Sequence, residues 1–324
     1  MNEIAQIDSS LEKQRGLQDL INRFLRSLDV RPNSVKTYER GLKQFTEWLT
    51  SQGALQLSRE TILAYKNYLS VKGISALTLS SYLVALRRFF EFAEAEKIYP
   101  NIAKGIKGAK RPKGFRKDAL TVGQIKELLA SSDRTTFEGL RNHAVLSLLV
   151  RTGIRTIELT RADVGDIRPQ SGEIVLWVWG KGRDVKDEFV VLTDATLKPI
   201  REYLNRRGNL SDTTPLFVSD SDRNKDQRLT PRTISRIVKE HLKKVSINNG
   251  RTTAHSLRHT AITLALQGGA TIQEAQALGR HSSVDTTLLY AHNFNRVLNA
   301  AEKKIDEVLR ENSKAETDGD KSLA

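Results

Sequence analysis

Apolar residues recur at steps of three and four through the first third of the chain. In "SVKTYERGLKQFTEWLTS" the series Val35, Tyr38, Leu42, Phe45, Leu49 marks one helix face, and Leu79, Leu83, Leu86 and Phe90 repeat it in "SALTLSSYLVALRRFFEFAEAEK". The pattern predicts a short N-terminal tail over 1–14 and a small all-helical domain over 15–100. The pattern then lapses. "KIYPNIAKGIKGAKRPKGFRK" holds eight basic residues, two prolines, three glycines and no acid, which predicts an extended linker over 101–117.

Helical signals resume beyond it. Thr121 and Gln124 have capping-box spacing. "LRNHAVLSLLVRTGIRTIELTRADVGDI" reads as a buried helix broken near Gly153, with a second short helix from about Arg155. "EIVLWVWGKGRDVKDEFVVL" changes period: two runs rich in Val, Ile and Trp flank a Gly-Lys-Gly-Arg turn, the composition of a hairpin. Thr230 and Pro231 open a further helix as N-cap and first residue. From His255 the punctuation predicts three helices, the first ending at Gly268-Gly269, the second capped by Thr271 with Glu274 and ended by Gly279, the third capped by Ser283 and carrying Tyr290. These place an α-rich domain with a small antiparallel β-sheet over 118–294. An apolar stripe, Val297, Leu298, Ala301, Ile305, Val308 and Leu309, predicts a last amphipathic helix over 295–311, before a polar tail over 312–324 expected to be disordered. The fold class is mainly α, in two domains.

Charge narrows the partners. The 324 residues carry 52 Lys and Arg against 38 Asp and Glu, a net charge of +14, of which +10 falls within residues 1–117. Such an excess suits a polyanion, nucleic acid or an anionic membrane surface, although a basic protein can simply be soluble. No apolar run approaches the length of a membrane span and the N-terminus lacks the regions of a signal peptide, so a cytoplasmic protein without a membrane partner is expected. The absence of cysteine excludes disulfides, thiolate metal sites and cysteine nucleophiles. Lys36, Arg40 and Lys43 fall away from much of the first apolar stripe, where they face either DNA or water. The basic linker likewise either follows a phosphate backbone or is a hinge extended by self-repulsion.

Four of the six histidines lie between His255 and His292. His255 and Arg258 share a helix face, and Arg155 begins a helix with Glu158 one turn on, able to hold its guanidinium. Two planar guanidinium forks suit a phosphate whose oxygens gain charge in a transition state. Lys181 lies at the hairpin tip. Taken singly, each has an ordinary explanation: an Arg–Glu surface pair, a structural histidine, a packed tyrosine.

The joint order is more specific. Arg155, Lys181, His255-x-x-Arg258, His281 and Tyr290, with 23 residues from Arg258 to His281 and nine more to Tyr290, resembles the tyrosine recombinase (phage integrase) family. "TGIRTIELTRADVGDI" is similar to that family's first arginine box, "GKGRDVKDEFVVL" to its lysine hairpin, and "HSLRHTAITLAL" with "GRHSSVDTTLLYAH" to its second arginine and tyrosine boxes. The helical domain resembles its core-binding domain. The resemblance implies that Tyr290 is the nucleophile, Arg155 and Arg258 the phosphate clamp, Lys181 the general acid, His255 a proton carrier and His281 a further phosphate donor. Lys186 is a second lysine near the hairpin; the Gly-Lys-Gly context favours Lys181. Where members read Leu-Gly-His, this chain reads Leu278-Gly279-Arg280-His281, and Arg280 is expected to contact a neighbouring phosphate.

The resemblance further implies a phenol attacking a DNA phosphodiester to leave a 3′-phosphotyrosine and a 5′-hydroxyl, with cations on side chains in place of a metal, and hence no cofactor and no metal site. The implied partners are double-stranded DNA at a specific recombination site, three further copies in a tetramer spanning two sites through a four-way junction, and accessory DNA-bending or directionality proteins. The last helix would dock on a neighbouring copy, or pack on its own domain. With about 15 residues before the first helical region, an Xer-like or transposon-encoded recombinase is expected rather than an integrase with an arm-binding domain. The DNA-contact candidates are Lys36, Arg40, Lys43, Arg87, Lys107, Lys110, Arg111, Lys113, Arg232 and Arg280. A type IB topoisomerase or a catalytically silent DNA-binding regulator are the rival readings.

Overall fold

The structure, a computed structural model, describes residues 2–53, 56–110, 118–180, 185–247, 249–298, 301–306 and 309. It divides into two compact units, Met1–Lys113 and Gly114–Ala324.

The first unit is four helices, α1 (Asn2–Ser27), α2 (Pro32–Ser51), α3 (Arg59–Val71) and α4 (Ala76–Ala95). Pro32 pre-sets the backbone at the start of α2. Ser58 and Thr61 cap α3 reciprocally, and Ser75 accepts from the Thr78 amide at α4. The periodic residues bury as a set: Leu42, Phe45, Leu79, Leu83, Leu86 and Phe90 are at most 2% exposed. Gly41 sits where α2 meets α4, and a Cβ there would lie 3.0 Å from the Ala85 Cβ.

Two expectations change here. Residues 2–14 are not a tail but the first turns of α1; they contain no proline or glycine, so nothing in the backbone stops the helix. The expected linker begins too early at 101. Residues 101–106 fold back in turns and put Ala103 and Ile106 into the helical core, while the Tyr99 hydroxyl donates to the Leu57 carbonyl at 2.6 Å. The density of lysine and glycine masked two apolar anchors. Arg111 and Lys113 lie outside the described residues.

The second unit is built round α6 (Phe137–Thr152), buried along most of its length. Packed with it are α5 (Val122–Ala130), α8 (Asp194–Arg207), α9 (Pro231–Lys244) and α10 (Ala254–Gln267). Short α7 (Thr156–Arg161), α11 (Ile272–Gly279) and α12 (Val284–Leu298) complete the site region. The caps predicted at Thr121, Thr230 and Thr271 all form. Gly153 ends α6 with φ 59°, a left-handed conformation that glycine adopts without strain.

The hairpin is present as β2 (Glu173–Val178) and β3 (Glu188–Val191), but β1 (Ile167–Gln170) joins it in a three-stranded antiparallel sheet. Sequence reasoning missed β1 because it is four residues long, contains Pro169 and is mostly exposed; an edge strand tolerates proline. At the C-terminus no new helix starts at 295: α12 runs unbroken from Val284 to Leu298, and residues 301–306 are also helical. The expected tail over 312–324 lies outside the described residues. Among the described residues no helix is long and apolar enough to cross a membrane.

Candidate active site

Four pieces of the second unit converge. Arg155 is the N-cap of α7, and the carboxylate of Glu158 reaches back to it twice: the Arg155 amide donates to Oε2 at 2.8 Å and Nη1 donates to Oε1 at 2.5 Å. The glycine break before Arg155 lets the helix restart in a new direction, which places this fork against α10. There Arg258, 3% exposed, donates from Nη1 to the Gly153 carbonyl at 2.6 Å and from Nη2 to the Gly279 carbonyl. A Cβ on Gly153 would come within 3.3 Å of the Ala261 Cβ, so glycine at this turn provides both the backbone conformation and the room beside α10.

The turn between α11 and α12 connects the parts. Gly279 accepts from Arg258, the carbonyl of Arg280 accepts from Arg155 Nη2 at 2.9 Å, and the ring of His281 stacks on that of Tyr290 with centroids 5.9 Å apart. Nδ1 of His281 lies 2.9 Å from Oγ1 of the buried Thr287 on α12. The His281 ring folds over its own turn, where a Cβ on Gly279 would fall 2.7 Å from its Cε1. Glycine before Arg280-His281 therefore makes room for the imidazole.

Tyr290 is 4% exposed and packs with Ile262, Leu266 and Ala275. Burial pushes its phenol up to about 12, opposed in part by the charge of Arg258. Burial also holds His281 and His259 down to about 4, with nearby cations and imidazoles acting in the same direction. Arg258 is pushed down to about 10 by burial and by the charges of Arg155 and Arg280. Burial alone would raise Glu158, but Arg280 and Arg155 outweigh it and hold its carboxyl below the usual range.

The structure thus brings together Arg155, Glu158, Arg258, His281 and Tyr290. His255 is exposed at the start of α10, and its ring meets that of His259 edge-on at 4.5 Å. His259 in turn lies 5.2 Å from the Tyr290 ring. Sequence reasoning left His259 without a role, although its position four residues after His255 is the spacing that stacks rings along a helix. Lys181 lies outside the described residues. Lys186 is committed elsewhere: its ammonium bonds Asp163 at 2.8 Å and Asp166 at 2.5 Å, and these carboxylates hold it charged despite burial.

Arg280 requires a correction. It is not a cation offered to DNA: its side chain is 5% exposed, with Nη2 2.6 Å from Glu158 Oε2 and Nε 3.5 Å from Glu188 Oε2 on β3. Its left-handed backbone, φ 46°, turns the side chain inward. Of the other DNA-contact candidates, Lys36, Arg40, Lys43, Lys107, Lys110 and Arg232 are exposed and Arg87 is half-buried. Lys43 lies 4.0 Å from Glu47. Among the described residues no group of three or more His, Cys, Asp or Glu is arranged to hold a metal ion.

This layout has relatives. The tyrosine recombinase XerC of Myxococcus xanthus is 32% identical over 269 residues, covering 80% of this chain and 86% of its own. The tyrosine recombinase XerD of Staphylococcus haemolyticus is 28% identical over 289 residues, 85% and 94% of the two chains. The XerH site-specific recombinase bound to difH substrate, in a pre-cleavage complex, superposes with a TM-score of 0.69 at 21% identity, covering 89% of this chain and 96% of that one. The Tn1549 transposon integrase in complex with transposon right end DNA gives 0.65 at 16% identity, covering 90% and 99%. At those identities the two structures establish the fold. Residues 21–97 match the phage integrase N-terminal SAM-like domain. Residues 118–296, more than half of the chain, match the phage integrase family, and it is to this family that the protein belongs.

Proposed function

We propose that the protein is a site-specific DNA recombinase that cleaves and rejoins DNA through a 3′-phosphotyrosine formed on Tyr290. One observation supports this most strongly: the turn Gly279–His281 bonds both arginines through successive carbonyls and stacks its histidine on Tyr290. The anion clamp and the nucleophile therefore share one frame, as transfer of a phosphoryl group by positioning and electrostatics requires. The phenolic oxygen attacks phosphorus, the bond to the 5′-oxygen breaks, and a second 5′-hydroxyl later reverses the step. Arg155 and Arg258 stabilise charge on the non-bridging oxygens. His255 handles the phenol's proton, and Lys181 protonates the leaving oxygen. Tyr290 is 4% exposed, so reaction requires that α12 present the phenol to the phosphate.

DNA as partner is supported by the net charge of +14 and by structural relatives described in complexes with DNA. Exposed Lys36, Arg40, Lys43, Lys107, Lys110 and Arg232 are the cations available to phosphates. Four copies act on two sites, and the apolar residues Ile305 and Leu309, exposed on the single chain, are covered by a neighbouring copy. The reaction proceeds without a metal.

The test is covalent trapping in EDTA on a nicked suicide duplex recovered by selecting bound sequences from random DNA. Wild type is expected to give a DNA-linked band on a denaturing gel and Tyr290→Phe none, while both bind the duplex. Binding without a band in wild type would sink the tyrosine mechanism and leave a DNA-binding regulator. A band with no exchange between two sites would indicate a topoisomerase.

A further inference from the structure

Arg280 stands between the glycine and the histidine of this turn, and its guanidinium is paired inside the protein. The side chain reaches three groups on three segments. Nη2 binds Glu158 Oε2 of α7 at 2.6 Å, Nη1 donates to its own turn at the Leu278 carbonyl at 3.1 Å, and Nε faces Glu188 Oε2 of β3 at 3.5 Å. The last is a charge contact without hydrogen-bond geometry, so the grip is firm at Glu158 and slack at Glu188. Its backbone carbonyl meanwhile takes the other end of the same assembly, Arg155 Nη2 at 2.9 Å.

We infer that Arg280 is a positioning residue of this chain's catalytic site, fixing Arg155 from both sides, directly through its carbonyl and indirectly through the carboxylate of Glu158. The inference rests on the recombinase reading. A carboxylate that is 3% exposed and touches only one cation would be poorly balanced; bridging two arginines, it locks both planes. Lysine cannot substitute fully, because the donors on its single nitrogen cannot span the groups that Arg280 reaches with Nη2, Nη1 and Nε. The arrangement also ties β3 to the arginine clamp.

Glu158 faces Arg155 from its own helix, Arg280 from the α11–α12 turn, Arg258 from α10 and, behind Arg280, Glu188 from β3. Without the Arg280 cation, burial gains weight in its ionisation and the carboxylate takes up a proton at a higher pH. That gives a readout which loss of packing alone would not move.

The experiment measures single-turnover cleavage of the selected suicide duplex against pH by full-length wild type, Arg280→Met, Arg280→Lys, Glu158→Gln and the double variant Glu158→Gln with Arg280→Met, with duplex affinity measured in parallel. Arg280→Met is expected to cleave on the order of 100-fold more slowly, with affinity changed less than about threefold and the acid limb displaced upward by about one pH unit. Arg280→Lys keeps the limb near its wild-type position and loses roughly tenfold in rate. In the Glu158→Gln background the Arg280→Met change costs far less, because the group it acts through is gone. Wild-type cleavage with an unmoved limb in Arg280→Met overturns the inference. Should that variant fail to fold, Arg280→Lys decides, and a wild-type rate there overturns it equally. Wild type that binds but never cleaves means instead that the recombinase reading has failed.

Discussion

Both units bury an apolar core, but the second also buries charge. In the first, the interior is aromatic and aliphatic: Phe24, Phe45, Tyr65, Phe89 and Phe90 meet at ring distances of 5.1–5.8 Å, and its ion pairs stand in water, as Arg23–Glu96 does at 56% and 45% exposure. In the second, an equally apolar core surrounds charges removed from water, Arg141, Glu158 and Arg258 each at 3%. Apolar burial is favourable wherever volume and shape fit. Buried charge is tolerated only when every partner is in place. The first unit is thus a scaffold whose stability is spread over many contacts; the second concentrates constraint at a few.

The sharpest way to break this comparison is to remove one side chain from each interior. Phe45→Ala should destabilise the first unit by about 3–5 kcal/mol through the cavity it leaves. Glu158→Ala should destabilise the second by roughly 3 kcal/mol, because Arg280 is left buried with the slack Glu188 as its remaining carboxylate and Arg155 loses its carboxylate. Trp48 lies in the first unit and Trp177 and Trp179 in the second, so denaturant titrations of variants keeping one set of tryptophans separate the two transitions. A cost under about 1 kcal/mol for Glu158→Ala would mean that the charged network does not hold the second unit together.

Acid should divide the units next. All six histidines belong to the second unit. Burial holds His241, whose Nδ1 lies 2.8 Å from Ser131 Oγ, and His259 down to about 4. Their folded values lie below the unfolded value of about 6.5, so the unfolded chain takes up protons first. Stability therefore falls as pH drops from about 6.5 towards 4, by roughly 1–2 kcal/mol per histidine at pH 5, and this loss does not deepen further below 4. The second unit's midpoint should fall across that window while the first unit's stays level. His241→Gln, which keeps a polar group but cannot titrate, should flatten part of the slope.

What sequence revealed follows the same division. The first unit's core was legible because residues such as Leu42, Phe45, Leu83 and Leu86 bury by local periodicity, and the caps at Thr121, Thr230 and Thr271 are short-range devices read within four residues. Arg155, Arg258, His281 and Tyr290 were legible as a spaced set whose members the fold then gathered. Glu188 was not, since no local period or motif shows that a strand residue will face a guanidinium 92 positions after it. Arg280 was noticed but aimed wrongly, because its direction depends on a left-handed turn. Ala103 and Ile106 were hidden by the charge around them, and β1 by its proline.

The smallest expected effect tests the surface side of the comparison. Arg23 on α1 and Glu96 just after α4 lie 3.1 Å apart, and both remain largely hydrated. Holding two long side chains in one geometry costs entropy, and salt screens what remains. A double-mutant cycle with Arg23→Ala and Glu96→Ala should give a coupling of about 0.2–1 kcal/mol, falling further between 0.1 M and 1 M salt. The same cycle on Arg280 and Glu158 should give several times more and change little with salt, because their 5% and 3% exposure excludes the screening ions. Equal coupling in the two cycles, with equal salt dependence, would mean that water reaches the buried network, and that the rigidity ascribed to the arginine clamp comes from packing rather than from paired charge.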